Sequence, residues 1–130
     1  LARRSDGTVV GFGINNHGQC NVSALPAGLT YVEVAAGQNH SVGRRSNGSV
    51  VVWGSNALNQ RAVPSLPSGV TYTAVAAGAF HSLALQSSGQ LVAWGDNTYG
   101  QCTVPVPPPG LVYVGQWAKY TDPSWITHPS

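Results

Sequence analysis

Residues 72–110 read YTAVAAGAFHSLALQSSGQLVAWGDNTYGQCTVPVPPPG, and this stretch decides the fold. Tyr72 to Ala76 is a short run of β-branched and small residues, and Ala77-Gly78-Ala79-Phe80 reads as a turn. From His81 to Leu85, His and Leu alternate with Ser and Ala, the period-2 signature of a strand with two unlike faces. Ser87-Ser88-Gly89 is a hairpin turn, with counterparts Ser5-Asp6-Gly7 and Ser46-Asn47-Gly48. Asp-Gly and Asn-Gly favour a type I′ turn, because both residues tolerate positive φ. Leu91 to Trp94 is the next strand, followed by the polar loop Gly95 to Gly100. Cys102 to Val104 predicts a further short strand, ended by Pro105, whose missing N–H suits an outer edge. No segment sustains a 3.6-residue period, so almost no helix is expected.

The same pattern returns every 41 residues. Gly13, Gly54 and Gly95 each follow an aromatic residue: Phe12, Trp53 and Trp94. Gln19, Gln60 and Gln101 keep the step, as do Tyr31, Tyr72 and Tyr113. Gly37 and Gly78 are each followed three residues later by a histidine, His40 and His81. Residues 1–32 align with 83–114 without a gap, half of the positions being identical. A period of this length marks a stacked or radial array whose units share a core. Three or four short antiparallel strands per unit point to propeller blades rather than a helical solenoid. The array divides into copies 1–41, 42–82 and 83–114, with a divergent tail, 115–130. The chain opens at Leu1 inside a repeat and holds no Met, which reads as a piece of a longer protein.

Composition narrows the function classes. Only 8% of residues are charged, and the net charge is +2. That balance does not favour nucleic acid or an anionic membrane surface as partner. No apolar run approaches the ~20 residues of a membrane helix. Cys20 and Cys102 occupy the same repeat position two copies apart, too far for a disulfide in a radial array, and are expected to be free thiols.

The string Trp94 to Gln101, with Ala76 to Leu85 upstream, resembles the repeat of the RCC1 (regulator of chromosome condensation) family over residues 1 to 114. The resemblance implies an all-β fold, a β-propeller commonly of seven blades, of which this chain would be an incomplete segment. Seven blades of this length would need roughly 290 residues. The short unit is similar to the compact bacterial members, among them a secreted RCC1-like β-lactamase inhibitor propeller. That similarity favours a secreted or cell-surface bacterial setting. Arg3 and Arg44 stand where the third copy has Leu85, and Asn59 replaces the glycine of Gly18 and Gly100.

No catalytic constellation emerges. His40-Ser41 and His81-Ser82 are adjacent in a strand, so each pair points to opposite faces. Both histidines read as structural, tying the turns at Gly37 and Gly78. Walker, G-x-S-x-G and H-E-x-x-H patterns are absent. His17-x-x-Cys20 offers two ligands, too few for zinc. No metal and no cofactor is therefore expected. Arg3-Arg4 and Arg44-Arg45 form a candidate four-Arg patch for phosphate or an acidic protein. Asn21-Val22-Ser23 and Asn47-Gly48-Ser49 match the glycosylation sequon.

The candidate binding positions lie where the copies differ: Gln38-Asn39 and Ala79-Phe80 after each Ala-Ala-Gly, and Asn16-His17, Leu58 and Thr98-Tyr99 after each Gly-x-Asn. A repeated frame with varying loops is the pattern of a scaffold that presents loops, here to a protein partner. The expected function is non-catalytic protein binding. Guanine-nucleotide exchange on a small GTPase and a purely structural cell-surface array are the alternatives. Exposed blade edges add self-association as an expectation.

Overall fold

The computed structural model describes residues 1–113; the divergent tail lies outside the described residues. Eight strands form three antiparallel sheets. The first pairs β1 (Ala2–Arg3) with β2 (Val9–Val10). The second orders β3 (Tyr31–Ala36), β4 (His40–Arg45) and β5 (Val50–Gly54). The third repeats this with β6 (Tyr72–Ala77), β7 (His81–Gln86) and β8 (Leu91–Gly95). A register shift recurs at the same place in both three-stranded sheets, between Tyr31 and Glu33 and between Tyr72 and Ala74. These sheets are propeller blades.

The expected strand from Cys102 to Val104 does not form. The Cys102 N–H donates to Asn97 Oδ1 at 2.9 Å, and the Thr103 N–H to Gly100 O at 3.0 Å. Donors that a ladder would need are consumed inside the loop. Asn15 and Asn56 hold Cys20 and Arg61 in the same way. Each blade among the described residues therefore has three strands at most.

The hairpins also differ from expectation. Gly48 sits at φ 82°, but Asn47 is not at positive φ, which excludes type I′. The Gly48 N–H donates to Arg45 O and the Arg45 N–H to Ser49 O, both at 2.9 Å. That is a three-residue loop, a type I turn closed by a left-handed glycine in a bulge. Asn47 Oδ1 accepts from the Ser49 N–H and hydroxyl, which fixes the first half of the turn. Asp6 does the same with Thr8. Asn59, the substitute for a repeat glycine, adopts φ 61°; Asn is among the few non-glycine residues that enter this region readily.

The core lies between the blades. Ala35, Val42 and Val50 of the second sheet pack against Tyr72, Val75, Ala77, Ala84 and Trp94 of the third. β7 is buried along its whole length, so its two faces are unlike in chemistry and equally dry. Small residues explain this: Ser82 and Ala84, both fully buried, let the preceding blade approach closely. Close packing of this kind stabilises by about 25 cal/mol per Å² of apolar surface buried.

Candidate functional site

Polar links join each copy to the next. The Trp53 Nε1–H donates to Gln19 O at 2.9 Å, and the Trp94 Nε1–H to Gln60 O at 2.8 Å. The Ser41 hydroxyl also donates to Gln19 O, at 2.8 Å. His40 Nε2 lies 2.9 Å from Ser82 Oγ of the following blade. The histidine thus meets the serine of the next copy rather than its own neighbour. His40 is sealed from solvent, and burial pushes its pKa down to about 4. Burial likewise lowers His81. The neutral, enclosed His40 imidazole links the second sheet to the third.

Repeat glycines make room for these contacts. A Cβ on Gly37 would run into the His40 ring, and one on Gly78 into the His81 ring. At Gly54 and Gly95 a Cβ would come within 2.6 Å of Asn39 O and Phe80 O. Gly13 shares their positive φ, at 102°, although its surroundings are open. Phe12 departs from the two tryptophans of its repeat position: it is 70% exposed, whereas Trp53 and Trp94 are 5% and 6% exposed.

The repeat glutamines build the loops. Gln19 Oε1 accepts from the His17 N–H at 2.9 Å, Gln60 Oε1 from Leu58 at 2.8 Å, and Gln101 Oε1 from Tyr99 at 2.8 Å. The main chain of each loop is pinned from inside, and the side chain one turn out is left to solvent. Leu58 is 40% exposed and Tyr99 70%. Asn16, His17 and Thr98 are exposed as well. The Thr98 hydroxyl and N–H bond to Asp96 Oδ1, which lowers the Asp96 pKa.

Strand register brings both candidate loop sets to one end of the sheets. His40 pairs with Gly54 and His81 with Gly95, so the turns at 37–39 and 78–80 lie beside the loops after β5 and β8. The Ser55 N–H donates to Asn39 O at 2.8 Å, and the Asp96 N–H to Phe80 O at 2.9 Å. The Gln38 N–H crosses to Ala79 O at 2.9 Å, stitching the two blades along this rim. Gln38 is exposed, while Asn39, Ala79 and Phe80 are half-buried. The rim thus divides into an inner, bonded line at 38–39 and 79–80 and an outer, projecting set at 16–17, 58 and 98–99.

The opposite end carries the hairpins. There the four-Arg patch breaks up. Arg44 Nε pairs with Glu33 Oε1 at 3.1 Å, and the same oxygen accepts from the Val75 N–H of the next blade. Arg45 is half-buried, leaving Arg3 and Arg4 exposed. Tyr31 and Tyr72 each donate their hydroxyl to a carbonyl eight residues back, Ser23 O and Pro64 O, and Tyr113 does so to Pro105 O. These tyrosines were legible as periodic but not as links to the inter-blade segments.

Cys20 and Cys102 are free, with each Sγ near a carbonyl of its own loop. Burial, and then the Asp96 charge, pushes the Cys102 thiol up to about 11. Among the described residues no three His, Cys, Asp or Glu side chains gather as a metal site. No helix among them is long and apolar enough to cross a membrane.

The model for the regulator of chromosome condensation (RCC1) repeat matches residues 31–60 and 72–101, the second and third sheets with their loops. A search of curated proteins gave no match. Among solved structures, the chain is similar to Prp20p of Saccharomyces cerevisiae, described with its binding to Gsp1p and histones. The TM-score is 0.58 at 25% identity, over 72% of this chain and 28% of Prp20p. Human WBSCR16 aligns with a TM-score of 0.65 at 23% identity, over 80% of this chain and 33% of its own. Yeast RCC1 (Prp20) bound to Kap60 gives 0.63 at 24%, over 84% and 30%. The chain spans about a third or less of the length of these structures. Its blades are those of an RCC1-type β-propeller, and residues 31–60 and 72–101 are RCC1 repeats.

Proposed function

We propose that this chain is a non-catalytic protein-binding scaffold whose loop rim presents variable side chains to a protein partner. One observation carries the reading. His17, Leu58 and Tyr99 occupy one repeat position, each main chain is held by a repeat glutamine, and each side chain projects from the same rim. Preorganised aromatic and apolar groups of this kind suit protein interfaces, because little ordering entropy remains to be lost on binding. The association of Prp20p with Gsp1p and histones supports a protein rather than a small molecule as the partner class. Few charges stand on the rim, which supports neither nucleic acid nor an anionic membrane. The buried, solvent-sealed state of His40, Ser41 and Ser82 supports a structural role for them.

The test is affinity capture with the full chain, followed by titration of each captured protein against the Leu58→Ala/Tyr99→Ala variant. Loss of affinity supports the reading; unchanged affinity for every partner rejects it.

A further inference from the structure

Three Asn-x-Ser sequons occur in the described residues: Asn21-Val22-Ser23, Asn39-His40-Ser41 and Asn47-Gly48-Ser49. Their surroundings differ. Asn39 is half-buried, and the hydroxyl of Ser41 is buried and bonded to Gln19 O. Asn21 is exposed, in the loop that follows His17. Its Oδ1 accepts from Asn15 Nδ2, and its own Nδ2 lies 3.5 Å from where a Cβ on Gly18 would be. Asn47 is exposed at a hairpin tip on the opposite end of the blades.

At Asn47 the side-chain oxygen takes all the native bonds. Oδ1 accepts from the Ser49 N–H at 3.1 Å and the Ser49 hydroxyl at 2.7 Å. Nothing among the described residues bonds to Nδ2. The first copy shows that the fold has no use for that nitrogen. Asp6, which lacks it, makes the same two bonds to Thr8, at 3.0 and 2.7 Å. A substituent on Asn47 Nδ2 therefore removes no native contact, and the residue is exposed at the end opposite the loop rim.

We infer that Asn47 is an N-glycan acceptor site of the folded chain. The co-substrate is a sugar activated as a glycosyl diphosphate, lipid-linked or nucleotide-linked. In the transfer, the Asn47 Nδ2–C1 bond forms and the C1–O bond to the diphosphate breaks. The diphosphate leaves with the electron pair, and one amide proton passes to a base of the transferase. Ser49 supplies the hydroxyl that the sequon requires.

The experiment uses the purified, folded chain in two arms. One contains an oligosaccharyltransferase that accepts neutral sequons, with a polyprenyl-diphosphate oligosaccharide. The other contains a soluble sequon-specific transferase, with a uridine-diphosphate hexose. Peptide mapping by mass spectrometry is expected to find a glycan on Asn47 in at least one arm; the productive arm identifies the donor type. Ser49→Ala is expected to abolish the mass shift. Ser49→Thr, which reproduces the Asp6–Thr8 pairing, is expected to retain it, as is Asn21→Gln. Absence of sugar in both arms, or sugar on Asn21 or Asn39 instead, overturns the inference.

Discussion

The indole nitrogen of Trp94 reaches back 34 residues to the main-chain oxygen of Gln60, 2.8 Å away, and both residues are buried. Trp53 and Gln19 repeat the relationship one copy earlier. The bond crosses from one blade to the preceding blade's loop, at the base of the segment that carries Leu58. One contact thus ties inter-blade packing to the loop.

Trp94→Phe keeps most of the apolar surface and strands Gln60 O without its donor. A buried polar group left unpaired costs about 1–3 kcal/mol. Urea unfolding of the variant is expected to show a loss in that range, with faster amide exchange in residues 57–60. A neutral substitution would mean that the bond does not hold the loop.

Stability falls with acid through the buried histidine. His40 has its pKa lowered from 6.5 to about 4 by burial. The unfolded chain therefore takes up a proton as pH falls through about 6.5, while the folded chain resists until about 4. Its contribution is full above pH 6.5 and is lost between 6.5 and 4, amounting to about 3 kcal/mol. His81 shifts in the same direction. Unfolding free energy measured from pH 8 to 4 is expected to decline across that window, and His40→Gln to flatten the decline. An unchanged slope in the variant would remove His40 as the cause.

Gly48 and Gly28 share φ 82° but differ in surroundings. A Cβ at Gly48 would come within 2.5 Å of Thr71 Cβ, whereas Gly28 has open space. Both alanine variants bear the left-handed strain of about 1–2 kcal/mol. Gly48→Ala is expected to lose distinctly more, measured by thermal unfolding, because the hairpin must also move off the next blade. Equal losses would show that strain alone matters.

Cys102 is expected to be slow toward alkylation. With its pKa raised to about 11, the thiolate fraction at pH 8 is about a hundredfold below that of a thiol near 9. Mass-spectrometric alkylation rates at Cys102 test this, and a rate equal to that of a free peptide thiol would contradict it.

Much of this was legible in the sequence. The 41-residue step placed Trp53, Trp94, His40 and His81 as framework, and the Ala-Ala-Gly turns and β7 fell where the pattern put them. What escaped was contact between copies. Gln19 and Gln60 were periodic, but nothing local shows that their carbonyls receive an indole 34 residues on. Phe12 follows the same period as Trp53 and Trp94, yet it is 70% exposed. The run Cys102–Val104 had strand-like residues, yet Asn97 captures its first donor. Asn-Gly suggested type I′, but the Asn47–Ser49 bonds favour the bulged three-residue loop. The inner and outer division of the rim follows from register, which a single sequence does not show.

The central claim is that the outer loop rim binds a protein. The most direct measurement is the dissociation constant of a captured partner for the full chain and two double variants, Leu58→Ala/Tyr99→Ala on the loop rim and Arg3→Ala/Arg4→Ala on the hairpin end. Neither pair is expected to shift folding stability beyond about 0.5–1 kcal/mol. The account predicts at least a roughly tenfold weakening for the first, as expected of two interface side chains, and no change for the second. Full affinity in the loop-rim variant, with loss in the arginine variant, would contradict it.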